Sequence, residues 1–392
     1  MKSPPILLLF LLFATIAHAQ DTGAKLYLNG YVKNLQSLYF FNEAYPDLQT
    51  FELVDTVLQD NFVHQRLNAD LTLGEHWTIH GGLRTRIFFG DLVRGTPGYA
   101  QQIDGGSNDW LDLSVLWMDQ PNFVGHTVLD RIYGQYTNGP WEVRLGRQRV
   151  NWGISTIWNP NDIFNAYSFT DFDYEERPGA DALRIRRYLG YTGSAELAIR
   201  GADKLEDITA AGRYVFNQGT YDIQVIGGYA QGDWVLGGGW AGNLKNAGLK
   251  GEASWFYNPE DEKHSLAVTA NIDYAFEKGL YLNGGGLYNS NGASDAGVLN
   301  LFIFELSASN LYPYRWATFL QVSYPFTPLL TGGLAAIYSP VKSQAMFANP
   351  TLSLSVANNW SLDAVGQLVF ARQDDRYRSP LQAIFVRLKY SY

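Results

Sequence analysis

Cysteine is absent from the 392 residues. That removes disulfide frameworks, zinc–thiolate sites and cysteine nucleophiles together. Histidine is scarce, six in all, and shows no metal-ligand spacing; no Gly-x-Ser-x-Gly elbow occurs. Neither a catalytic residue, a metal nor a cofactor is therefore expected, and the chain does not read as an enzyme. Long apolar runs are missing too. The longest, Ile6 to Ala17, is about twelve residues, too short for a bilayer at roughly 20 residues per helix. It follows Lys2 and precedes Ala17-His18-Ala19, the order of a secretory signal peptide. Residues 1–19 are expected to be removed, leaving 20–392 as one domain without an internal boundary. A net charge of −9 gives no reason to expect nucleic acid as a partner.

Aromatic residues make up 15% of the sequence and glycine is abundant, and apolar residues alternate with polar ones instead of clustering. Leu266, Val268, Ala270, Ile272, Tyr274 and Phe276 oppose Thr269, Asn271 and Asp273; Val63, Leu67 and Leu71 oppose His64, Arg66 and Asp70. Segments of about ten residues with this period of two, separated by turn residues, are the signature of a transmembrane β-barrel. Eighteen strands are expected, at 25–40, 59–74, 76–90, 128–138, 141–152, 179–188, 193–201, 207–217, 219–230, 233–243, 247–258, 264–277, 279–289, 314–326, 328–339, 343–357, 359–372 and 380–392. Sixteen is the alternative, because Pro350 interrupts one segment and 233–243 is very glycine-rich. Every second connection is tight, as at Asn138-Gly139-Pro140 and Asn358-Asn359, while 41–58, 91–127, 153–178 and 290–313 are long. Short periplasmic turns and long extracellular loops have this asymmetry. Trp77, Trp141, Tyr221 and Trp360 follow the tight turns, and Phe89, Trp234, Tyr288 and Trp316 lie near the opposite ends, as two aromatic girdles would. The last strand puts Ile384, Val386, Leu388, Tyr390 and Tyr392 on one face. It resembles the C-terminal strand that the barrel-assembly machinery of the outer membrane recognises, which makes that machinery and outer-membrane lipid the expected partners.

The face opposite the apolar rows is the expected lumen. It carries Arg84, Arg86, Arg144, Arg184 and Arg186, an array suited to focusing a positive potential on a passing anion. The same arginines, neutralised by loop carboxylates, would instead stiffen the wall. Between two of these strands lies 153–178, preceded by Trp152 and rich in aromatic side chains, including Trp158 and Phe164. Left splayed in water such a loop is costly, so it is expected to pack on the wall or enter the lumen. Folded inward, Trp158, Asp162, Asn165 and Asp171 would form a constriction opposite Arg144, Arg184 and Arg186. Arg147 and Arg149 have the outward parity and are expected at the rim, at headgroup level.

The run Arg144-Leu145-Gly146-Arg147-Gln148-Arg149 with Trp152-Gly153, followed by Trp158-Asn159-Pro160-Asn161-Asp162-Ile163-Phe164-Asn165, resembles outer-membrane porins of the alginate-export group over residues 144–187. That resemblance implies a channel with an arginine-lined lumen that passes an anionic polysaccharide. From the residues themselves, the expectation is a passive outer-membrane channel for small hydrophilic solutes or saccharides, anions among them. The alternative is a non-conducting accessory barrel whose loops bind a partner or a surface polysaccharide.

Overall fold

The computed structural model of the protein describes residues 24–41, 45–46, 53–54, 57–105, 110–166, 173, 177, 179–294, 304, 306–373 and 376–392. Its principal strands are β1 Lys25–Phe41, β2 Val57–Leu73, β3 Trp77–Gly90, β4 Phe123–Asn138, β5 Trp141–Gln148, β6 Ala180–Leu189, β7 Gly193–Arg200, β8 Thr209–Gln218 and β9 Tyr221–Ala230. They continue as β10 Asp233–Leu244, β11 Ala247–Asn258, β12 Lys263–Ala275, β13 Tyr281–Asn289, β14 Trp316–Thr327, β15 Leu330–Tyr338, β16 Met346–Ala357, β17 Trp360–Gln373 and β18 Leu381–Ser391. Each pairs antiparallel with its neighbour in sequence, and β1 pairs with both β2 and β18, so the sheet closes into a barrel of eighteen strands. Both segments that had allowed a count of sixteen lie in the wall. Two short loop strands, Ser114–Gln120 and Arg376–Arg378, add to it beside β4 and β17.

The alternation has the consequence expected of a wall between lipid and water. Leu145, Leu236, Leu320 and Trp255 are exposed, while Lys33, Arg66, Glu252 and Asn283 are buried. This inverts the pattern of a water-soluble protein. Trp77, Trp141 and Trp360 are exposed near the tight-turn end, and Trp234 and Trp316 near the other. The tight turns need the left-handed region, supplied by Gly139 at φ 54 and by Asn359 at φ 66.

Two strands depart from the expected bounds for visible reasons. β5 leaves its ladder after Gln148 instead of continuing to 152. Gly146 sits at φ 123, where an added Cβ would lie 2.3 Å from the Ile132 carbonyl oxygen, and the chain turns inward soon after. The outer part of β4, which begins at Phe123 and not at 128, pairs instead with Ser114–Gln120 on that side. At Pro350 the β16–β17 ladder skips two positions, and the Asn349 amide fills in by donating to the Gly366 carbonyl at 2.9 Å. Pro350 lacks the donor a ladder position requires.

Closure at the seam is complete. Tyr31 to Phe41 of β1 are in register with Ser391 to Leu381 of β18, and Gly30 and Tyr392 exchange backbone hydrogen bonds of 3.0 and 2.9 Å. No edge is left there for pairing with another chain. Two short helices, α1 Asp91–Gly95 and α2 Tyr99–Asp104, follow β3 in its long connection.

Candidate functional site: a lumenal loop and an arginine-lined vestibule

The connection from β5 to β6 enters the barrel. Its first residue inside, Trp152, is fully buried; its indole Nε1 donates to Glu196 of β7 at 2.6 Å, and its carbonyl accepts from Gln224 of β9 at 2.7 Å. Ile154, Ser155 and Asn161 donate backbone N–H groups to Glu252 of β11, and Thr156 meets Asn271 of β12. Trp158 then reaches the far wall, with its ring edge-on to Tyr312 and to Phe319 of β14 at 5.7 and 5.6 Å. Around it pack Leu287, Ala317, Ile337, Phe347 and Val369 from β13 to β17. Farther along, Asp173 reaches the seam, pairing with Lys33 of β1 at 2.8 Å and Arg387 of β18 at 3.2 Å. The loop therefore touches the inner wall on several sides. It covers apolar inner positions of β6 to β11 and of β13 to β17 that would be misplaced in an aqueous pore.

Trp158, Asp162 and Asn165 are all buried inside the barrel, and Asp171 lies outside the described residues. Their partners differ from those expected. The Asp162 carboxylate accepts from Arg177 at 3.4 Å and from the Trp152 backbone at 3.4 Å, with Arg149 near. It does not oppose Arg144, Arg184 or Arg186. Burial raises its pKa to about 7, against the lowering pull of Arg177, then Arg149, then the Trp152 N–H. Arg149 is accordingly an interior neighbour of Asp162 and not a rim residue. Arg147 is not an exposed rim residue either: it is buried, with Nε and Nη2 on the Asp181 carboxylate at 2.9 and 2.8 Å and a further bond to the Leu111 carbonyl. Leu111 closes over this pair, donating its own N–H to the Asp181 carboxylate at 2.9 Å.

The five expected lumenal arginines fall into two groups. Arg184 and Arg186 both donate to Glu196, at 2.9 and 2.6 Å, and Arg213 joins them at 3.1 Å. Arg144 faces Glu142 at 3.2 Å and lies over the Tyr133 ring at 5.3 Å. Among the described residues, wall carboxylates hold this cluster, with four guanidiniums meeting two acids. Arg84 and Arg86 stand apart on β3. Among the described residues the buried Nε of Arg84 has no hydrogen-bond partner, and Arg86 reaches His126 of β4 at 3.3 Å. They line a cavity of about 450 Å³ with Asp130, Asn165, Phe164 and Arg200, beneath α2. Asp130 is already committed to Arg66 at 2.7 Å. Asp181, also in the lining, is held by Arg147 at 2.8 Å, and Asp104 shares the cavity with Arg84, Arg86 and Arg200 beside Ile163 and Phe164.

Glu252, Asp173 and Lys33 escaped the sequence reading as a set. Glu252 has inward parity with Ser254, but one inward acid says nothing about which of the loop's N–H groups it meets. His80 and Asp70 do meet, at 2.6 Å, with the imidazole stacked on Tyr133. Among the described residues no group of three or more His, Asp or Glu side chains could hold a metal ion.

No family model matches the sequence, and no curated protein matches it. Solved structures do resemble it in fold. OccAB3 of Acinetobacter baumannii is 8% identical, with a TM-score of 0.58 over 93% of this chain and 99% of that one. OccK9 (OpdG) of Pseudomonas aeruginosa is 11% identical, with a TM-score of 0.58 over 94% and 98%. A BenF-like porin from Pseudomonas fluorescens Pf-5 is 10% identical, with a TM-score of 0.57 over 94% and 98%. At such identities the likeness is one of fold: an antiparallel barrel covering nearly the whole of each chain.

Proposed function

We propose that this barrel is an outer-membrane porin, a passive channel for small hydrophilic solutes that favours anions. The observation that carries the reading is the vestibule, where Arg84 and Arg86 line a cavity beside the inward loop with Asp130 already paired. In a lumen walled by low-dielectric protein such charges attract anions over distances a surface charge in water does not. The fold likeness to a protein called a porin supports the same reading. Outer-membrane placement, export by residues 1–19 and recognition of the strand ending at Tyr392 by assembly machinery belong to the same proposal.

The role first given to Arg144, Arg184 and Arg186 is divided within it. Arg184 and Arg186, locked on Glu196, shape the wall and add background charge; Arg84 and Arg86 face the solute. The finer substrate, an anionic saccharide of the alginate kind, rests on the sequence resemblance over 144–187.

Planar-bilayer recording tests the proposal. Purified protein should give discrete conductance steps and, in a salt gradient, a reversal potential on the anion side; R84Q with R86Q should move that potential toward zero. Silence at every voltage would sink the channel reading and leave the accessory barrel, which the loop packing around Trp158 favours. A reversal potential on the cation side would sink the arginine assignment alone.

A further inference from the structure

We propose that Glu252 is the latch that sets the bore: by gathering three backbone N–H groups of the lumenal loop it holds the loop on the wall and limits what passes. This rests on the channel reading above for its effect on transport, though not for its geometry.

Glu252 is fully buried on β11. Oε1 accepts from Ile154 N and from Ser155 N, the latter at 2.5 Å, and Oε2 accepts from Asn161 N at 3.0 Å. Two stretches of the loop, either side of Thr156-Ile157-Trp158-Asn159-Pro160, are thus drawn onto one carboxylate. Among the described residues Glu252 makes no ion pair, so its negative charge is met by these N–H groups. The dependence is mutual. If the loop left, a carboxylate would stay in the wall without its donors, and three N–H groups would lose an ionised acceptor, the stronger kind of hydrogen bond.

The neighbouring wall is shaped to seat the loop. Ser254, also on β11, donates to the Pro160 carbonyl at 3.0 Å, and Asn161 donates to the Gly238 carbonyl of β10 at 2.9 Å. A Cβ on Gly237 would stand 2.6 Å from Asn161 Oδ1, and one on Gly239 would stand 3.1 Å from both the Glu252 side chain and Ile154. The glycines that made this strand doubtful in sequence leave the space the loop occupies. Trp158 adds apolar burial against β13 to β17, but dispersion and burial have no direction. The directional contacts at Glu252 fix where the loop stops.

The test combines E252Q with a thiol at Ser155, in a chain that has no other cysteine. Ser155 is buried against the wall, so S155C should react slowly with a membrane-impermeant maleimide. An amide offers one acceptor oxygen and turns its NH2 toward the remaining donors. E252Q should therefore speed labelling about tenfold or more and raise single-channel conductance. E252D keeps the charge but draws it back by one methylene, and should move both readouts the same way if E252Q does not assemble. Unchanged labelling in whichever variant folds would overturn the latch, as would a conductance rise with labelling unchanged. Faster labelling in a barrel that never conducts would uphold the latch and overturn the channel reading instead.

Discussion

Arginines that look equivalent in sequence do different work in the barrel. Arg184 and Arg84 share inward parity, yet Arg184 is buried on Glu196 and, among the described residues, Arg84 has an unpaired Nε in the vestibule. Removing one partner of a buried charge cluster costs about 3–5 kcal/mol. E196Q, which leaves Arg184, Arg186 and Arg213 without their shared carboxylate, should lower the unfolding temperature seen by heat-dependent gel mobility. R84Q should leave that temperature unchanged while reducing anion preference. Equal thermal effects of the two would contradict the division. Parity in sequence gives all these side chains a common inward face. It could not tell paired from unpaired, because the pairing acid comes from the neighbouring strand in a register only the closed sheet defines: Glu196 stands opposite Arg186 and Arg213.

At the scale of the element, the loop after β5 carries a buried acid. Asp162 within it has its pKa raised to about 7 by burial, above the ordinary aspartate value of about 3.9. The docked loop therefore binds more protons than a loop released to water. Docking is unaffected by this group below the ordinary value, weakens as pH rises through the window from there to about 7, and levels off above it. Thiol labelling at S155C, taken relative to a fully exposed thiol at the same pH because the thiolate is the reacting form, should quicken across that window, and D162N, which imitates the protonated acid, should flatten that ratio. A slope that persists in D162N would assign the titration elsewhere. The aromatic content of this loop pointed to packing on the wall or entry into the lumen and left the two open. Its stations were not legible, since Trp158 reaches strands more than 150 residues later.

For the molecule as a whole, alternation and turn spacing were enough to read an eighteen-strand closed barrel, and the two doubtful strands proved to be exceptions with local causes. Net charge was a poor guide: the chain carries −9 overall, but acids and bases sort by place, and Arg84, Arg86 and Arg200 share one vestibule. Long-range selectivity should therefore depend on salt. Screening shortens the reach of charge from about 10 Å at 0.1 M to about 3 Å at 1 M. Anion preference measured by reversal potential should shrink accordingly, and a preference that persists at 1 M would point to direct binding at Arg84 and Arg86.

The contacts of Asp173 with Lys33 and Arg387 have a consequence for how the barrel comes to be made. The two bases lie on the first and last strands, more than 350 positions apart in sequence. A contact that needs both waits for the slowest loop closure in the chain. During assembly the lumen passes through a stage in which the wall is largely built and the strap has not reached its final mooring. The pairing of Asp173 with both strands is thus among the last contacts to mature, and it matures only in barrels that have joined their two ends.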